Sequence, residues 1–139
     1  MNFIEASLAP LKNTGQIKIH TEADFEGMRA VGRLAAQTLD LLSEFVKPGV
    51  TTGFLDDKAV EIICDLGAVP APLNYRGFLK SICTSINHVV CHGIPGGRTL
   101  DEGDILNIDV TVILDGWYGD TSRMFFAGEP SVKAKRLCD

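Results

Sequence analysis

The sequence predicts an α/β (α+β) chain in which two amphipathic helices precede an antiparallel β-hairpin. Three observations carry this. Apolar residues between 25 and 45 recur at steps of three and four, and a second stripe of the same period runs over 55–66. Two strand-like runs, 105–114 and 117–126, then flank Asp115-Gly116. Steps of three and four put side chains on one helical face. Asp-Gly between two such runs is a strong hairpin signal, because both central turn residues take positive φ.

In chain order, residues 1–15 read as an N-terminal arm ahead of a folded part spanning 16–139. Gln16-Ile17-Lys18-Ile19-His20 alternates briefly, as a short strand or an extended arm would. Thr21-Glu22-Ala23-Asp24 resembles a capping box, with Asp24 where Glu or Gln is more usual. Phe25, Met28, Val31, Ala35, Leu39, Leu42 and Phe45 form the first stripe. Lys47-Pro48-Gly49 ends it, since proline cannot continue the backbone ladder. Thr51 or Thr52 can cap the second helix, whose stripe is Leu55, Ala59, Ile62, Ile63 and Leu66, and Gly67 suits its C-terminal cap. Pro70, Pro72 and Asn74 mark a loop, and β-branched residues make 80–86 a short strand. Gly93, Pro95, Gly96 and Gly97 make 87–98 another loop. Ser131 caps a last helix with eight residues left to run. A helix that short is marginal alone, and the hairpin leaves strand edges with few upstream partners. Both point to a chain that stops partway through a larger fold.

Composition narrows the function. With 45% hydrophobic and 22% charged residues, disorder is not expected. A net charge of -5 disfavours nucleic-acid binding. No apolar run approaches the roughly 18 residues of a membrane helix, and Met1-Asn2-Phe3-Ile4-Glu5 lacks the basic start of a secretory signal. Cys64, Cys83, Cys91 and Cys138 contain no C-x-x-C pair, so they read as the reduced thiols of a cytoplasmic protein and give a zinc knuckle no support.

The hairpin permits a geometric derivation. With Asp115-Gly116 as a two-residue loop, Leu114 opposes Trp117, Thr111 opposes Asp120 and Asp109 opposes Ser122. Asn107, Asp109, Thr111, Tyr118, Asp120 and Ser122 then share one face, while Leu106, Ile108, Val110, Val112 and Leu114 share the other, which must be buried. Asp109 and Asp120 become diagonal neighbours, about 7–8 Å apart at the backbone, where like charges repel. Two divalent ions about 3.5–4 Å apart fit between such side chains. The bland alternative is a half-solvated face that happens to carry two acids. His92, in the loop Cys91-His92-Gly93-Ile94-Pro95, has a near-neutral pKa suited to acid–base work or substrate hydrogen bonding. The alternative is a polar surface residue. His20, beside a helix cap, and His88, without a visible partner, rank lower. Cys83 and Cys91 follow apolar neighbours and read as buried small hydrophobes. Lys133, Lys135 and Arg136 read as one solvated helix face, and the glycines at 93, 96 and 97 match no phosphate-binding fingerprint.

Cys91-His92-Gly93-Ile94-Pro95, Asp104-Ile105-Leu106-Asn107-Ile108-Asp109-Val110-Thr111 and Gly116-Trp117-Tyr118-Gly119-Asp120-Thr121-Ser122 resemble the type I methionine aminopeptidases, in order and in spacing. The likeness extends back through Ile17-Lys18-Ile19-His20-Thr21 and Gly32-Arg33-Leu34-Ala35-Ala36, and covers 16–139. It implies the pita-bread metallopeptidase fold, with 16–139 as the N-terminal half of the catalytic domain and the hairpin carrying metal ligands. It implies metal-dependent removal of the initiator methionine from nascent polypeptides, whose N-termini are the implied partners, with the ribosome a further candidate. The implied cofactors are two divalent ions (Co, Mn, Fe or Zn) and, in some members, one monovalent cation. Asp109 and Asp120 would belong to the metal ligands. His92 would be the catalytic, substrate-binding histidine near the scissile amide. Tyr75, Phe78 and Cys83 would line the methionine pocket, and the carbonyls of Asn87 and Val89 would hold the monovalent cation.

The sequence also departs from that family. Phe78 stands where many members have tyrosine, and His88 where an acid is common. The family completes its metal site with a histidine and two glutamates from the second half of its fold. After Asp120 this sequence has no histidine, and Glu129 and Asp139 as its acids. It would therefore supply only part of the site. Two other readings stand beside the main one: a non-catalytic fragment or binding module of the same fold, and a prolidase-like relative, against which the loop at 91–95 argues.

Overall fold

Asp115 and Gly116 have φ of 51° and 82°, the left-handed values that a tight Asp-Gly turn requires. In the computed structural model, which describes residues 2–5 and 16–139, this turn joins β5 (Asp104–Leu114) to β6 (Trp117–Ala127). Each arm is one residue longer than expected, in the expected register: Leu114 pairs with Trp117, Thr111 with Asp120 and Asp109 with Ser122. β5 is the central strand of the sheet. Its other edge is filled by β3 (Val69–Pro70) and β4 (Cys83–Ile86), both antiparallel to it. Those two short strands are the partners that the sequence left unidentified. Near the start of the chain, β1 (Asn2–Glu5) runs parallel to β2 (Gln16–Ile19). The strand option therefore holds for 16–19, and part of the arm is itself a strand. The remainder of the arm lies outside the described residues.

α1 (Glu22–Leu42) starts at Thr21 with a complete capping box. The Asp24 amide donates to Thr21 Oγ1 at 3.4 Å, and the Thr21 amide donates to Asp24 Oδ2 at 2.7 Å. Asp24 thus does the work usually given to glutamate, and its carboxyl lies below the ordinary carboxylate range, first because of the Thr21 amide. Phe25 and Met28, the first two residues of the expected stripe, are exposed, and the buried face begins at Val31. The helix ends at Leu42 and tightens into a 3-10 turn, Ser43–Phe45, before Pro48 is reached. α2 (Thr52–Asp65) is capped by Thr51, whose Oγ1 accepts from the Phe54 amide at 3.2 Å. Gly67, with φ of 79°, takes the left-handed position just past its end. α3 (Val132–Cys138) is capped by Ser131 as expected.

The expected strand over 80–86 starts only at Cys83. The reason is Asp56, a buried carboxylate on α2. It draws the amides of Ser81 and Ile82 to its Oδ1 at 2.7 and 3.2 Å, and Lys80 Nζ lies 3.3 Å from its Oδ2. Those amides satisfy a buried charge instead of a ladder.

The core lies between the helices and one face of the hairpin. Leu106, Ile108, Val110 and Val112 are fully buried against Val31, Ala35, Leu39, Leu55 and Ile63. Helix and sheet backbones approach closely at Gly119, where an added Cβ would sit 2.6 Å from the Val31 carbonyl oxygen. Gly119→Ala is therefore expected to push α1 off the sheet and cost about 1–3 kcal/mol, read by chemical or thermal unfolding. Among the described residues no helix is long and apolar enough to cross a membrane. All four cysteines are free, but the expectation of buried thiols fails for Cys91, which is exposed on a loop, and holds only in part for Cys83, which is half-buried on β4.

Candidate functional site

Strand alternation leaves the outer face of the hairpin for chemistry. The β4–β5 ladder puts Cys83 opposite Asp109, and the β5–β6 ladder puts Asp120 opposite Thr111. An open pocket of about 730 Å³ lies over this face. It brings together all six of the side chains singled out from the sequence: Tyr75, Phe78, Cys83, His92, Asp109 and Asp120. Both acids line one cavity with a histidine, Asp109 half-buried and Asp120 and His92 exposed at its open side.

Sequence reasoning missed five more lining residues. Thr111 and Tyr118 were on the correct face by alternation, and a search for pocket walls on that face would have found them. Ala71, Pro72 and Ile94 arrive from loops. Ala71 is placed by its amide, which donates to the Thr111 carbonyl at 2.9 Å and extends the β3 pairing. No local sequence signal announces that contact. His20 is elsewhere: its Nδ1 lies 3.6 Å from Asp24 Oδ2 at the α1 cap, and its ring is 6.0 Å from that of Trp117. His88 does not line the pocket.

The electrostatics of the site are those of crowded acids. Burial pushes the Asp109 carboxyl above the ordinary range. The Asp120 charge and a hydrogen bond with Asp120 add to this, while His92 acts in the opposite sense. The Cys83 thiol is also pushed up, by burial first and then by the Asp109 charge, so it is a neutral wall and not a nucleophile. Among the described residues, no lysine or arginine lines the pocket. Two diagonal carboxylates, Asp109 half-buried and Asp120 exposed, without a basic partner in the lining are a donor set that fits hard or borderline divalent cations. They do not complete a site: among the described residues, no cluster of three or more His, Cys, Asp or Glu is arranged to hold a metal ion.

The His92 loop is tied down along its length. Thr52 Oγ1 accepts from the Gly96 amide at 2.9 Å, and the Gly53 amide donates to the Gly96 carbonyl at 2.8 Å. Asp104, buried at the start of β5, accepts from Asn87 Nδ2 at 2.7 Å, from Arg98 Nη2 at 3.0 Å and from the Asp101 amide at 2.9 Å. Asn87 has φ of 52° and exchanges further hydrogen bonds with Ile105, the Asn87 amide donating to its carbonyl at 2.9 Å and Asn87 Oδ1 accepting from its amide at 3.1 Å. Asn87 and Val89 therefore lie in the turn that follows β4, outside the pocket lining.

The profile of Metallopeptidase family M24 matches residues 26–139. A methionine aminopeptidase of Rickettsia prowazekii is 65% identical over 121 residues, 87% of this chain and 47% of that protein. A methionine aminopeptidase of Escherichia coli K12 is 53% identical over 124 residues, 88% of this chain and 47% of that protein. The crystal structure of the Rickettsia prowazekii methionine aminopeptidase superposes with a TM-score of 0.86 at 65% identity, covering 88% of this chain and 49% of that one. The chain thus spans about half the length of the curated relatives it matches. The family match takes in both helices, the hairpin with its two aspartates and the His92 loop, on a pita-bread architecture shared with that structure: the chain belongs to metallopeptidase family M24.

Proposed function

We propose that this chain carries the Asp109–Asp120 part of a metal-dependent aminopeptidase site that removes the N-terminal methionine from peptides and nascent polypeptides. The observation that supports it best is that two diagonal carboxylates and a histidine share one pocket with a largely apolar wall. Asp109 and Asp120 hold two divalent ions, of the class Co, Mn, Fe or Zn, with further ligands from outside this chain's described residues. Such ions supply Lewis acidity and an acidified water. His92 hydrogen-bonds the substrate beside the scissile amide, where one such contact is worth roughly 3–4 kcal/mol in related chemistry. Tyr75, Phe78 and Cys83 take an unbranched apolar side chain, and Cys83, neutral and half-buried, suits a thioether. The carbonyls of Asn87 and Val89 hold a monovalent cation. The substrates place the work in the cytoplasm, at or near the ribosome.

If this chain is active by itself, the purified protein with manganese or cobalt releases methionine from a Met-Ala-Ser peptide, and Asp109→Asn abolishes release. No turnover at any metal concentration would leave the chain as a non-catalytic fragment or binding module. Cleavage of X-Pro peptides in preference to Met-Ala-Ser would point to a prolidase-like activity instead.

A further inference from the structure

We propose that Ser85 is a positioning residue for His92, acting through the amide of Gly93. The proposal rests on the reading of His92 as the group that touches substrate. Ser85 lies on β4 and, by strand alternation, shares a face with Cys83 of the pocket. It is 4% exposed, and a hydroxyl so buried needs a partner. That partner is the amide of the His92–Gly93 peptide, which donates to Ser85 Oγ at 3.1 Å. The next peptide is held as well, since the Thr84 amide donates to the Gly93 carbonyl at 2.8 Å. Both peptide groups around the Gly93 Cα are thereby fastened to β4. The approach is so close that a Cβ at 93 would run into the Thr84 carbonyl.

The consequence falls on His92. Its φ is 53°, in the left-handed region that a side-chain-bearing residue leaves unless its surroundings hold it there. The rotation that follows φ along the chain, ψ, leads directly into the peptide that Ser85 grips. The hydroxyl therefore sets the direction in which the imidazole leaves the backbone. Without it, the loop can relax to negative φ and carry the ring away from Asp109 and Asp120. Nothing about Ser85 in the sequence distinguishes it from any other strand serine.

The test is a double-mutant cycle on the full chain, with amide exchange as a second readout. Ser85→Ala is expected to speed exchange at the Gly93 amide by about tenfold, the scale of one buried hydrogen bond. It is expected to lower kcat on Met-Ala-Ser by a similar factor with KM little changed. Ser85→Thr, which keeps the hydroxyl, is expected to stay near wild type in both. In a His92→Ala background, Ser85→Ala should cost nothing further. Unchanged Gly93 exchange, or a full additional loss in the His92→Ala background, would overturn the proposal. If His92→Ala itself retains full activity, the reading of His92 fails, while exchange at Gly93 still decides the Ser85 contact. If the chain does not turn over alone, the imidazole NMR signals of His92 decide. A single ring environment that splits or shifts in Ser85→Ala supports the proposal, and an unaltered ring sinks it.

Discussion

Asp109→Asn is expected to weaken manganese binding by more than about 100-fold while making the metal-free chain more stable. Groups that merely support a metal ligand are worth about 10–100-fold in affinity, so loss of a ligand itself should exceed that. The stability change has the opposite sign because the two carboxylates are diagonal neighbours on the hairpin and, among the described residues, no lysine or arginine lines the pocket they share. The Asp109 carboxyl is raised by burial and then by Asp120, so the folded chain binds that proton more tightly than the unfolded chain does. Stability of the metal-free chain accordingly falls as pH rises from the ordinary carboxylate range through the raised value. The asparagine removes this penalty, an effect of up to about 1 kcal/mol at a partly solvated cross-strand pair. Calorimetric titration with manganese, and melting curves in chelator at pH 5 and pH 8, measure both. A variant that binds manganese normally, or that melts lower than wild type without metal at pH 8, would contradict the site.

Asp104→Ala is expected to destabilise the chain by about 1–3 kcal/mol. Asp104 is 7% exposed and is ringed by three donors: Asn87 Nδ2, Arg98 Nη2 and the Asp101 amide. Removing the carboxylate takes the shared acceptor from three donors at once, while Arg98 keeps its ion pair with Asp101 at 2.9 Å. Asp104→Asn keeps the shape and is expected to lose less. The melting temperature should fall by roughly 4–10 °C for the alanine variant. The turn at Asn87 should loosen before the hairpin does, which amide exchange across 87–104 would show. A melting temperature within a degree or two of wild type would exclude this account.

The parts of the molecule legible in advance are those where a local rule has one solution. Asp115-Gly116 admits a single tight turn, and from it the register, the buried face and the meeting of Asp109 with Asp120 all follow. Thr21 and Asp24 form their box because the two side chains are three residues apart. The parts that were not legible depend on distant contacts. Whether Ser81 and Ile82 join a ladder is decided by Asp56, far back on α2. Pro72 and Ile94 become pocket walls only once loops are folded over the sheet. Asp104 was read as part of a family-like segment, but its role as the anchor of the His92 loop emerges only when Asn87 and Arg98 converge on it.

Along β5, residues with even numbers from Leu106 to Val112 are enclosed, while Asp109 and Thr111 between them open onto the cavity. Point changes on the odd positions can thus retune selectivity almost independently of folding. A single inserted or deleted residue in this arm would do the reverse, turning aspartate inward and leucine outward in one stroke. Evolution is free to edit the letters of this strand but not its length, and mutational scanning should find substitutions tolerated at several of its positions and frame-preserving indels at none.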